Sequence, residues 1–141
     1  MGSPDKIKTI IERIVRKHAI GIIFNCPKNE QAKIIQTIPE KKNIKIKGTD
    51  AYTSRMLQDR LGSILNIKHF TWDLLPKSEG RMIFIYEADL IKSSYNNVLL
   101  DFYKYKLPIL ILMNGSGAML NLRRLEAYKR VFTIEQDYQQ L

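Results

Sequence analysis

Residues Phe24–Lys33 read "FNCPKNEQAK", and the reading of this stretch decides the fold. It follows the apolar run "AIGIIF" (Ala19–Phe24) and precedes helical spacing through Ile34, Ile35 and Ile38. A short run that is apolar throughout and bounded by polar residues fits a strand buried on both faces of a parallel sheet. The turn from such a strand into a helix offers backbone N–H groups to an anion. Anion cradles of this kind use glycine, which permits positive φ and close backbone approach. Between Gly21 and Gly48 this chain has none. The stretch is either a phosphate loop that has lost its function or a turn that never had one.

Toward the N-terminus, Ser3 fits an N-cap with Pro4 at the first helical position. Ile7, Ile10, Ile11, Ile14 and Val15 follow at helical spacing, with Lys8, Glu12, Arg13 and Arg16 opposite. Toward the C-terminus, the helix after Asn29 must end before Pro39. "NIKIKG" alternates Ile44 and Ile46 with Lys45 and Lys47, a half-exposed strand whose lysines suit a sheet edge. Thr53 or Ser54 starts a helix that points Met56, Leu57, Leu61, Ile64 and Leu65 inward. "NIKHFTWDLLPKSEG" is irregular, and "RMIFIYEADLI" is a second apolar run ending in acids. Ser93 and Ser94 offer a cap for a helix through Val98, Leu99, Phe102 and Tyr103. "LPILILMNG" is a third buried strand, and "RVFTI" is a last short one after a helical or looped segment around Leu120–Tyr128.

Strands alternating with helices predict one α/β domain over residues 1–141, a three-layer αβα sandwich around a mostly parallel five-stranded sheet. Ligands of such sheets sit beyond the carboxyl ends of the strands, here the loops "NCPKNEQ", "YEAD" and "NGSG".

The net charge of +9 over 141 residues suggests a polyanionic partner, most often nucleic acid; the alternative is a lysine-rich surface serving solubility. The charge is spread over Lys6–Lys17, Lys41–Lys47, Lys104 with Lys106, and Arg123–Arg130. No apolar run approaches the ~20 residues that span a bilayer, and "PDKIKTIIERIVRKH" interrupts its hydrophobics with charge, unlike a signal core. A lone cysteine, Cys26, cannot form an internal disulfide and makes a reducing, cytoplasmic location the default. It reads as a small buried side chain, since no histidine is placed to activate it. His18 and His69 lie far apart without paired carboxylates, so no metal site is expected.

In sequence order, His18-Ala19 before "IGIIFNCPKNEQAK", "IKIKGTDAYTSRMLQDRL", "MIFIYEADLI", "YNNVLLDFYK" and "ILILMNGSG" together resemble the P-loop core of the AAA+ ATPases. Within them the chain looks most like the clamp-loader subunits of DNA replication. The resemblance implies a phosphate loop over "CPKNEQAK". Cys26, Asn29 and Gln31 stand at the glycine positions, Ala32 at the lysine and Lys33 at the hydroxyl, while Pro27 and Lys28 persist. It puts Tyr86 at the magnesium-side acid and Glu87 at the water-activating position, with Asp89 beside them as a helix N-terminal charge. Asn114 falls at the sensor, and Glu126-Ala127-Tyr128 at the triplet whose arginine reaches a neighbouring nucleotide, with Arg123 and Arg124 out of register.

Losing lysine, magnesium acid and arginine together predicts no turnover and no cofactor, because phosphoryl transfer is nearly all positioning and charge neutralisation. The expected loop is then a plain connection whose sequence is free to drift. The resemblance implies work by contact, with other replication subunits, a sliding clamp or DNA, as part of a hetero-oligomer or as a monomer in isolation. Lys6, Lys8, Arg13, Arg16, Lys17, Arg123 and Arg124 are the candidate DNA contacts. Family members continue into a helical lid and a collar, which residues 1–141 lack. Two other functions compete: an atypical NTPase in which Lys28 or Lys33 reaches the phosphates, and an unrelated basic module that stacks bases on Tyr52, Phe70 or Trp72.

Overall fold

Each apolar run becomes a strand whose alternate residues feed two separate cores. The computed structural model describes residues 4–40, 43–51, 53–74, 82–90 and 95–141. Its elements are α1 (Pro4–Lys17), β1 (Ile20–Phe24), α2 (Lys28–Thr37), β2 (Asn43–Lys47), α3 (Ser54–Leu65), β3 (Met82–Tyr86), α4 (Tyr95–Tyr105), β4 (Ile109–Leu112), α5 (Gly117–Arg123) and β5 (Thr133–Asp137). The sheet has the order β2-β3-β4-β1-β5, and every pairing in it is parallel.

On one face Ile20, Ile22, Ile44, Ile46, Ile83, Ile85, Ile109 and Ile111 meet α3, α4 and α5. On the other, Ile23, Met82, Phe84, Leu110, Leu112 and Ile134 meet α1 and α2. This is the three-layer αβα sandwich that the alternation predicted. Period-two side-chain placement explains why runs apolar at every position were needed: both faces of the central strands are covered. The lysine-bearing β2 lies at one edge, as expected, and the polar β5 at the other.

Thr53 caps α3, its hydroxyl oxygen accepting from the Met56 N–H at 3.0 Å, and Asn66 closes the helix in the left-handed region at φ 55°. The caps expected of Ser3, Ser93 and Ser94 lie outside the described residues, as does Tyr52.

Two helical stripes are narrower than their periodicity suggested. Leu57 and Leu61 are buried, but Ile64 is 41% exposed; Val98, Leu99 and Phe102 are buried, but Tyr103 is 57% exposed. In each case an apolar position in the later part of the helix lies beyond the arc that one sheet face can cover.

Trp72 follows α3 into the core and sits edge-on to Phe70 and Phe102, with ring centroids 5.8 and 5.4 Å away. It is therefore a packing residue and offers no free stacking platform.

Gly48, just after β2, marks a close backbone approach. A Cβ there would stand 2.4 Å from the Glu87 carbonyl oxygen and 2.8 Å from the Ala88 Cα. Neither atom can rotate away, so Gly48→Ala must separate the ends of β2 and β3. Chemical denaturation should register a loss of roughly 2–3 kcal/mol, the cost of an overpacked site. An unchanged midpoint would show that the two ends approach less closely than described.

Candidate functional site

The helix after β1 packs on one face of the sheet and the helices after β3 and β4 on the other, so the chain diverges above the carboxyl ends of β1 and β4. In open α/β sheets this divergence is where a ligand crevice forms. The floor is well tied. The Cys26 N–H donates to the Met113 carbonyl, the Met113 N–H to Ile23, and the Ala88 N–H to Leu112, each at 3.0 Å.

Above this floor there is almost no loop. Helix α2 begins at Lys28, so the four residues before Ala32 that should wrap a phosphate form its first turn. The left-handed residue is Asn25, at φ 57°; Asn29, which stands at a glycine position, is helical. Ala32 and Lys33 are exposed on α2, one turn inside the helix, and Lys33 pairs with Glu30 at 3.2 Å. Gln31 does not drift. It is wholly buried, the one buried polar side chain of the described core. Its Nε2 donates to the Cys26 carbonyl at 2.9 Å, and its Oε1 accepts the Glu87 N–H at 2.6 Å. The expectation of a free connection is corrected here: burying an amide requires partners, and Gln31 joins the β1 turn to the β3 turn.

Glu87 has φ 52° and directs its carboxylate to Lys28 at 3.7 Å and Lys47 at 3.8 Å. Lys47 was missed from the sequence, where it reads only as an edge-strand lysine. Tyr86 is half-buried at the end of β3, packed against the α1/α2 core.

Asp89, read from the sequence as a helix N-terminal charge, is separated from the described start of α4 by residues 91–94, which lie outside the described residues. Its Oδ1 accepts from the Asn114 and Gly115 N–H groups at 2.8 and 3.0 Å, clamping the turn after β4. Asn114 thus takes part through its backbone. Pro27 occupies the N-cap position of α2 without a side-chain hydrogen bond. On the far side of β1, the Asn25 amide donates to Asp137 at 3.3 Å and the Tyr138 hydroxyl donates to Glu30 at 2.8 Å.

Cys26 is buried, as expected, and burial first, then the nearby Glu30 carboxylate, pushes its thiol from about 9 up to about 12. The unfolded thiol ionises at lower pH than the folded one. The native state is therefore favoured fully below pH about 9, and that advantage is lost between pH about 9 and about 12. Thiol titration at pH 8 should label the native protein roughly a hundredfold or more slowly than the denatured chain, because the thiolate is the nucleophile. Equal rates would contradict the burial.

The basic candidates divide. Lys6, Lys8, Arg13, Arg16 and Lys17 are exposed along α1. Arg123 is not free: its Nη2 and Nε donate to Glu135 at 2.6 and 3.3 Å, with the Tyr128 hydroxyl on the same carboxylate. That bidentate grip, more than any other influence, holds the Glu135 carboxyl below its usual range. Arg124 is exposed with no ion pair among the described residues. Ala127 is buried and its N–H donates to Asn96 Oδ1 at 2.9 Å, so the triplet position faces inward. Among the described residues no cluster of histidine, cysteine and carboxylates could hold a metal, and no helix is long and apolar enough to cross a membrane.

The parallel sheet, its strand order and the divergence above β1 and β4 define an open, doubly covered α/β fold with a crevice position at the carboxyl ends of its strands. No protein-family model matches the sequence, and no curated protein matches it. Solved structures do match in fold. One is Drosophila ORC bound to AT-rich DNA and Cdc6, which superposes with a TM-score of 0.65 over 96% of this chain at 9% identity. The chain covers 28% of that one, a little over a quarter of its length. At this identity the likeness is one of fold.

Proposed function

We propose that this chain is a noncatalytic AAA+-like subunit that acts by contact, with DNA and with partner proteins, in a replication-type assembly. The observation that carries it is Gln31. A glutamine side chain, bonded at both ends, fills the space between the β1 and β3 turns that phosphates would need. Lys28 and Glu87, two of the residues still of the expected chemical type, pair with each other at 3.7 Å. With the first turn of α2 where a cradle should open, a triphosphate would have to displace the amide and unwind a helical turn.

A replication setting is supported by the fold shared with Drosophila ORC, whose structure was solved with AT-rich DNA and Cdc6. The clamp-loader branch is the narrower form of the same proposal, resting on the motif order. The net charge of +9 and the exposed cations of α1 supply the electrostatic footprint of DNA binding, whose affinity falls steeply with salt.

Titration calorimetry with ATP and magnesium should give no heat of binding, while duplex DNA binds at low salt and is released as salt rises. Micromolar nucleotide affinity abolished by Lys28→Ala or Lys33→Ala would establish the competing NTPase function instead. DNA that fails to bind at low salt, with no partner captured, would sink the proposal.

A further inference from the structure

A second cleft lies at the opposite end of the sheet, against the amino ends of β1 and β5. It measures about 480 Å³, within the range of roughly 300–1,000 Å³ typical of ligand sites. Ile20 forms its floor, its N–H bonded to the Phe132 carbonyl at 3.0 Å. Lys17, His18, Lys104 and Lys106 line it, and no acid does among the described residues. Its walls also carry Tyr103, 57% exposed, and Phe132, 51% exposed.

The lysines have a plain structural role. Helices α1 and α4 both end at this cleft, and cations at helix C-termini offset the negative end of the dipole. That accounts for Lys17 and Lys104. It does not account for two large aromatic side chains left in water beside them, where burial would be favoured. Lys17, Lys104 and Lys106 form no ion pair among the described residues; Lys104 lies over the Tyr105 ring at 5.4 Å from its centroid, a contact that leaves its charge unneutralised.

Cations that neutralise phosphates, set around aromatic faces that accept bases, are the means by which single strands are bound without sequence preference. A duplex keeps its base faces stacked on one another and offers none of them to an aromatic side chain, only its backbone and the base edges in its grooves. We propose that this cleft binds single-stranded nucleic acid, with phosphates on Lys17, Lys104 and Lys106 and bases against Tyr103 and Phe132. The inference deepens the DNA-contact part of the proposed function and rests on that part alone, independent of partner proteins and of turnover.

The test is fluorescence anisotropy with a labelled oligothymidine and with the matching duplex, at several salt concentrations. Tyr103→Ala and Phe132→Ala should each weaken the single strand about tenfold and leave the duplex unchanged. Lys17→Gln, Lys104→Gln and Lys106→Gln together should flatten the salt slope for the single strand by about 2. Thermal melting of each variant separates loss of binding from loss of fold; all five side chains are exposed enough to be replaced without opening a core.

Folded aromatic variants that bind the strand like the parent chain overturn the cleft. So does a duplex bound through the same two aromatics, or polyglutamate bound as tightly and lost with the same variants. If Lys8→Gln with Arg13→Gln abolishes binding while the cleft variants do not, the cleft is again wrong, but DNA contact through α1 survives. No binding of any nucleic acid removes both.

Discussion

Gln31→Ala should lower the free energy of unfolding by about 3 kcal/mol, because it strands the Cys26 carbonyl and the Glu87 N–H at about 1–3 kcal/mol each. For a chain of this length that corresponds to a fall in Tm of roughly 10 °C. The control is Gln31→Leu, which fills similar space but makes neither bond. If the hydrogen bonds are what matter, the leucine variant loses about as much as the alanine one. A leucine variant as stable as the parent would mean that Gln31 serves by volume alone. In neither variant should ATP bind, since Ala32 on the outside of α2 brings no cation to the crevice.

The second large effect is in the core. Phe102→Ala removes a side chain that is 1% exposed at the centre of α4 and that holds the edge of Trp72. Truncating a buried phenylalanine costs about 3–5 kcal/mol, transfer and cavity together. Against a total of about 5–15 kcal/mol for a natural domain, such a loss approaches the whole stability. Denaturant unfolding followed by Trp72 fluorescence should show an early, broad transition. A midpoint within experimental error of the parent would mean that α4 and the loop carrying Trp72 collapse into the gap. Phe102 also touches the cleft at the amino ends of the strands, so this variant is unsuitable for testing ligands there.

Most of the sheet was legible because its strands are unusually uniform. "IIF", "MIFI" and "ILIL" are apolar at consecutive positions, which only a sheet covered on both faces can bury. The helices were legible from spacing, but their inner edges were not. Ile64 and Tyr103 fit the apolar stripe and nevertheless point outward, since the width of a buried arc depends on what packs against it.

The candidate site was legible only in the negative. The missing glycines and the alanine at the lysine position are plain in "CPKNEQAK". That Gln31 puts a side chain at a glycine position is plain there too. Its second bond, to Glu87 across 56 residues of chain, did not follow from any local signal. The same holds for Asp89, read as a helix charge and found on the turn after β4, and for Arg123, read as a DNA contact and found gripped by Glu135. A side chain's partner is fixed by which strand ends become neighbours, and neighbours in this sheet are distant in sequence.

By itself, then, the order of residues determined the alternation of strands and helices, the two covered faces, the lysine-bearing edge at β2 and the absence of a glycine cradle after β1, because each depends on periodicity or on a residue's own backbone limits. Only the tertiary structure decided that α2 starts early enough to consume the loop, that one glutamine bolts two turns together, and that lysines and aromatics from α1, α4 and the approach to β5 share a cleft. Those facts depend on the strand order β2-β3-β4-β1-β5, which brings together segments that no stretch of sequence contains at once.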